Sequence, residues 1–213
     1  MTTLLLVRHG QSDANLKHRF AGHFDADLTE LGHQQAEQTA LFLKEHYQVD
    51  KIFASNLSRA YATAEHAGHH LQLPVIPLEE LREIYAGRWE GALYEQLMKD
   101  YPEEFRLWRE NIGNARCTQG ESVAELADRV WKIVSRIAAE SDGQTVLFVS
   151  HATPIRSLQW RVTGGSLDQM QQVPWVSNAS VTELQYENGV LKAVKIGQDA
   201  HLEALKTKLP ASV

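Results

Sequence analysis

The chain has 213 residues, 43% of them apolar, enough to bury a sizeable core. Its 27 acidic and 21 basic side chains give a formal charge of −6, which disfavours a nucleic-acid or anionic-membrane surface but permits a local basic pocket for a small anion. Cys117 stands alone, excluding an internal disulfide and a cysteine-rich zinc site. With no signal-peptide pattern and no run of about 18 apolar residues, a soluble cytoplasmic protein is expected.

Residues 4–7, Leu-Leu-Leu-Val, form an apolar run ending in Arg8-His9-Gly10, the pattern of a strand covered on both faces of an α/β sheet. Ligand sites in such sheets lie beyond the carboxyl ends of strands, which places Arg8 and His9 for chemistry. Taken alone, Arg-His-Gly is more often a surface loop. Thr29 is expected to cap a helix with Ala36, Ala40 and Leu43 on one stripe. Residues 51–54 form a second strand and 55–58 a cap region. The helix that follows carries Ala60, Ala64, Ala67 and Leu71 on its apolar face and Arg59 in its first turn. Residues 74–77, with two prolines, suit a short strand at a sheet edge.

Residues 78–120 are irregular, with short helices expected at 93–100 and 103–111. They read as a helical insertion within a single domain spanning 1–213. Ser122 and Glu125 make a capping box ahead of a long amphipathic helix carrying Val123, Leu126, Val130 and Ile137. Residues 145–149 form a central strand running into Ser150-His151, after which Thr153 is expected to cap a helix with Pro154 at its first position. Two further strands, 180–186 and 190–196, are joined by Glu187-Asn188-Gly189, a hairpin signal.

Parallel strands would bring Arg8-His9, Arg59 and His151 to one crevice. Arginine forks and a helix N-terminus after His151 suit a phosphate dianion there.

These residues resemble the histidine phosphatase superfamily, the group that includes cofactor-dependent phosphoglycerate mutases. Arg8-His9-Gly10 with Asn15, then Ser55, Arg59-Ala60 and Thr63, then Leu81, Glu83, Gly87 and Trp89-Glu90-Gly91, then Ser150-His151 resemble its motifs in order, through most of the chain. The resemblance implies a phosphoglycerate mutase-like three-layer α/β/α sandwich with a mainly parallel central sheet. It implies His9 as nucleophile, Glu83 as proton donor, and Arg8, Arg59 and His151 as the phosphate clamp. Asn15, Ala21, Gly22 and Ala152 would line the pocket; Ala152 stands where the family commonly has glycine, keeping the backbone N–H and adding a methyl.

The chemistry is consistent with those roles. A neutral imidazole can attack phosphorus, and arginines can stabilise the charge on the equatorial oxygens without a metal. An alkoxide leaving group needs a proton, which a carboxyl such as Glu83 can supply. Singly, Glu83 could be a solvated carboxylate, Arg59 a surface ion-pair partner and His151 a structural histidine; their ordered recurrence together outweighs this. His66, His69 and His70 have metal-compatible helical spacing, but with no accompanying carboxylate or cysteine motif they read as surface. No metal or cofactor is expected. Tyr85 and Trp108 are expected to wall the pocket and Trp131 to lie in or beside the core. The expected function is a metal-independent phosphatase acting on small phosphorylated metabolites through a phosphohistidine on His9. The rivals are a phosphoglycerate mutase, for which Arg106, Arg109 and Arg116 offer anion contacts, and a non-catalytic phospho-ligand module. The short 92–120 segment favours the phosphatase.

Overall fold

The apolar run at 4–7 lies in β1 (Thr2–Arg8), an inner strand of a six-stranded sheet. In the computed structural model, which describes residues 1–207, β1 pairs in parallel with β4 (Thr145–Ser150) and antiparallel with β5 (Val181–Glu187). β2 (Lys51–Ser55) extends the parallel part beyond β4. β3 (Val75–Leu78) forms one edge and β6 (Val190–Gln198) the other, giving the order β3-β2-β4-β1-β5-β6.

Alternate residues of the inner strands serve two cores, which is why those strands read as unbroken apolar runs. Leu5, Val7, Leu147 and Val149 pack with residues of α2 (Glu30–His46) and α3 (Ser58–Leu71) on one face. Leu4, Leu6, Val146 and Phe148 pack on the other with α6 (Val123–Ala139) and α7 (Ala152–Thr163). The three-layer α/β/α sandwich is therefore present. A single turn of helix, α1 (Asp13–Leu16), follows β1. Among the described residues no helix is long and apolar enough to cross a membrane.

Local signals explain most helix starts. Thr29 Oγ1 accepts from Gly32 N at 3.0 Å, and the Ser122–Glu125 capping box is complete. The 55–58 cap region holds the N-cap, Leu57, and the side-chain acceptor for the first turn comes from outside it: the Asp25 carboxylate accepts from Ser58 N and Oγ at 2.7 and 2.8 Å. One expectation fails. At α7 the helix follows His151 directly, so Pro154 is its third residue and Thr153 caps nothing. The strand-to-helix reversal takes one residue, which turns Thr153 N toward Glu83 instead. The hairpin turn behaves as expected, with positive φ at Asn188 and Gly189.

The insertion folds back onto the β1 side of the sheet. It holds α4 (Tyr94–Asp100) and α5 (Pro102–Glu110), and Trp89, Phe105 and Trp108 share a core with Leu4 and Leu6. Trp89 is fully buried and stacks edge-on against Phe20, so its truncation to alanine should cost about 3–5 kcal/mol. Gly87 has φ +55°, and a Cβ there would meet Thr118 O at 2.5 Å, so this turn requires glycine.

Candidate active site

Arg8 and Ser150 are paired across β1 and β4, and β2 ends beside them at Ser55, so three parallel strands finish at one crevice. His9, the first residue past β1, donates its backbone N–H to Ser150 O at 3.0 Å; its carbonyl accepts from Asn178 Nδ2 at 3.0 Å. Its ring Nδ1 lies 2.7 Å from Gly10 O. A carbonyl only accepts, so Nδ1 carries the proton and Nε2 keeps its lone pair. Gly10 N donates to Thr63 Oγ1, which donates in turn to Arg59 O, tying the His9-Gly10 turn to α3.

Arg8, Arg59 and His151 are all buried. Arg59, the second residue of α3, is fully buried and donates to Gly22 O at 2.8 Å and Phe24 O at 3.1 Å; Arg8 donates to Val176 O at 2.6 Å. Arg59 is thus no surface ion-pair partner. The His151 ring stands edge-on to that of His9, centroids 5.1 Å apart, with its Nε2 2.8 Å from Ser55 Oγ. Among the described residues, Arg8 Nε, Arg59 Nε and His151 Nδ1 are buried without a hydrogen-bond partner. Such orphaned donors cost about 1–3 kcal/mol each, a cost that an entering oxyanion would relieve.

Burial foremost, then the neighbouring Arg59 and Arg8 charges, holds the His9 imidazole well below its ordinary value of 6.5. Burial and then Arg59 do the same to His151. Both rings are therefore neutral near pH 7. Burial also lowers both arginines, opposed by the Glu83 charge. It pushes the Cys117 thiol far up, which leaves that buried sulfur unreactive.

Glu83 reaches the crevice from the loop after β3, its Oε1 accepting from Ile84 N at 2.8 Å and Oε2 from Thr153 N at 3.3 Å. Arg129 of α6 pins this loop by donating to the carbonyls of Glu80, Arg82 and Glu83 and to the Glu121 carboxylate. The cavity, open to solvent on one side, is about 70 Å³ and is bordered by Arg8, His9, Arg59 and Glu83 together with Asn15, Ala21, Gly22 and Ala152. His151 lies behind it, buried beside His9. Trp108 walls the cavity as expected, joined by Tyr94, Phe20, Arg19 and Trp175. Tyr85 does not: it is 49% exposed and tilts over His23 outside the cavity. Trp131 is half-buried at the core edge. Asn178 and Trp175 carry no motif and went unnoticed in the sequence; nothing local signals a residue that reaches His9 from 169 positions away.

Residues 4–199 match the histidine phosphatase superfamily (branch 1). The chain belongs to that superfamily. As a histidine phosphatase it is a phosphoric monoester hydrolase. It is 34% identical to phosphoserine phosphatase 1 of Hydrogenobacter thermophilus over 202 residues, covering 95% of each chain. Among solved structures, YhfR of Bacillus stearothermophilus superposes with a TM-score of 0.90 at 30% identity, covering 95% of this chain and 100% of that one. The mycobacterial glucosyl-3-phosphoglycerate phosphatase Rv2419c in complex with VO3 gives 0.86 at 30% identity, covering 92% and 99%.

Proposed function

We propose that this histidine phosphatase hydrolyses small phosphomonoesters without a metal, through a phosphohistidine on His9, within one domain that includes the helical insertion. The observation that carries the reading is the His9 ring: Nδ1 tied to Gly10 O, Nε2 free, and the whole imidazole kept neutral between Arg8 and Arg59. In the first half-reaction Nε2 attacks phosphorus while the bond to the leaving oxygen breaks, and Glu83 gives that oxygen a proton. In the second, Glu83 takes a proton from water as the water oxygen attacks phosphorus and the P–N bond breaks. Arg8, Arg59 and the Nδ1–H of His151 stabilise the equatorial oxygens, each contributing about 3 kcal/mol.

Hydrolase is favoured over mutase by the fate of the three candidate anion contacts. Arg106 is engaged by Glu103 and Glu110, Arg116 by Glu125 and Gly120 O, and neither they nor Arg109 border the cavity. A side-by-side assay tests this. Phosphate release from the best of several phosphomonoesters should outpace 2-phosphoglycerate formation from 3-phosphoglycerate primed with 2,3-bisphosphoglycerate, and should survive EDTA. Faster isomerisation would overturn the choice.

A further inference from the structure

Arg156, the fifth residue of α7, lies one helical turn beyond Ala152 on the same face, so it stands behind the cavity that Ala152 borders. It is 3% exposed. Burial lowers its guanidinium to about 10 and no carboxylate opposes that shift, so the group is charged near pH 7 without a counter-ion. A lone buried cation is costly, and an apolar side chain would fill the same space at lower cost. What the guanidinium holds is main chain and an indole. Its Nε donates to Val173 O at 2.8 Å and its Nη2 to Gln171 O at 3.1 Å, and its central carbon lies 4.1 Å from the centroid of the Trp175 ring. Residues 173–177 belong to no helix or strand, so secondary structure does not fix Trp175. Gln171 extends the tie: its side chain donates to Arg109 O and accepts from Ile112 N, both in the insertion that carries Trp108.

We propose that Arg156 is a positioning residue for substrate selection: by holding Val173 O, Gln171 O and the Trp175 indole, it fixes an aromatic wall against which the organic group of the phosphomonoester packs. The inference rests on the reading of this cavity as the phosphomonoester site. Arg8 and Arg59 border the cavity with donors for the phosphate, while Trp175, Trp108, Tyr94 and Phe20 leave an apolar surface for the rest of the molecule. Arg156 does not border the cavity, so it acts through Trp175 and not on the substrate. A wall already ordered before binding spares the substrate the entropy of ordering it, which strengthens binding of the organic group without touching the phosphate. Lysine cannot replace this arginine. It keeps the charge but lacks the planar fork that meets two carbonyls and stacks on an indole at once.

Steady-state kinetics with phenyl phosphate, and inhibition by orthophosphate, test this in wild type, Arg156→Lys, Trp175→Leu and the double variant. Arg156→Lys should raise KM for phenyl phosphate about tenfold, while kcat and the inhibition constant of orthophosphate stay within about twofold. Trp175→Leu should raise KM by a similar factor. The double variant should be no worse than Trp175→Leu, because the arginine acts through the indole. Arg156→Gln, uncharged and still a donor for Val173 O, should show the same pattern and serves if the lysine variant does not fold. Turnover surviving in His9→Ala would discard the cavity as the site and this inference with it. With His9→Ala inactive, an unchanged KM in a folded Arg156 variant, effects that multiply in the double variant, or failure of both Arg156 variants to fold would make Arg156 a structural residue and overturn this inference alone.

Discussion

Ser55 Oγ and His151 Nε2 lie 2.8 Å apart, and Ser55 Oγ also accepts from Leu57 N at 3.3 Å. The proposed role of His151 needs its proton on Nδ1, and so needs the Ser55 hydroxyl to donate to Nε2 while it accepts from Leu57 N. His151, held neutral by burial, then keeps its proton on Nδ1, the buried nitrogen without a partner. On that reading Ser55 is a positioning residue that sets the tautomer of His151. Ser55→Ala should weaken vanadate binding and lower kcat/KM about tenfold, equivalent to ~1.4 kcal/mol. Undiminished vanadate affinity would reduce Ser55 to a cap for Leu57.

Glu83→Gln keeps the side-chain shape and removes the transferable proton. It should slow alkyl phosphates about a hundredfold, and p-nitrophenyl phosphate, whose leaving group needs little protonation, far less. Equal losses on both substrates would assign Glu83 a structural or water-activating role.

As the proposed nucleophile His9 would work only when neutral, and its imidazole lies well below 6.5. The acid limb of kcat/KM in the free enzyme should accordingly fall below pH 6.5, and a limb at or above that value would contradict the burial argument. Stability has a matching dependence. The unfolded imidazoles of His9 and His151 take up protons near 6.5 while the folded ones do not, so the unfolded state binds more protons and stability falls as pH drops through 6.5. Melting of His9→Gln should decline less steeply over that range than melting of the wild type.

What the sequence disclosed and what it withheld separate by range of interaction. Leu4 to Val7 announced an inner strand because each residue faces one of two cores. Ser122 and Glu125 announced α6 because a capping box closes within four residues. Arg8, His9, Arg59, Glu83 and His151 were legible as motif positions; parallel pairing of β1, β4 and β2 brings together the ends that lead to Arg8-His9, His151 and α3 with Arg59, while Glu83 arrives from the loop after β3. Contacts between distant segments were not legible: Asp25 capping α3, Arg129 pinning the Glu83 loop, Asn178 on the His9 carbonyl and Glu37 between His66 and His70. Tyr85 was misplaced for the same reason, since its partner His23 lies far away in the chain and holds it outside the cavity.

Trapping the proposed phosphohistidine gives the most direct test. Rapid quenching into base of wild type mixed with ³²P-labelled substrate, followed by peptide mapping, should show acid-labile, base-stable label on His9 that is absent from His9→Ala. Label on a serine, an aspartate or Cys117 would contradict the mechanism.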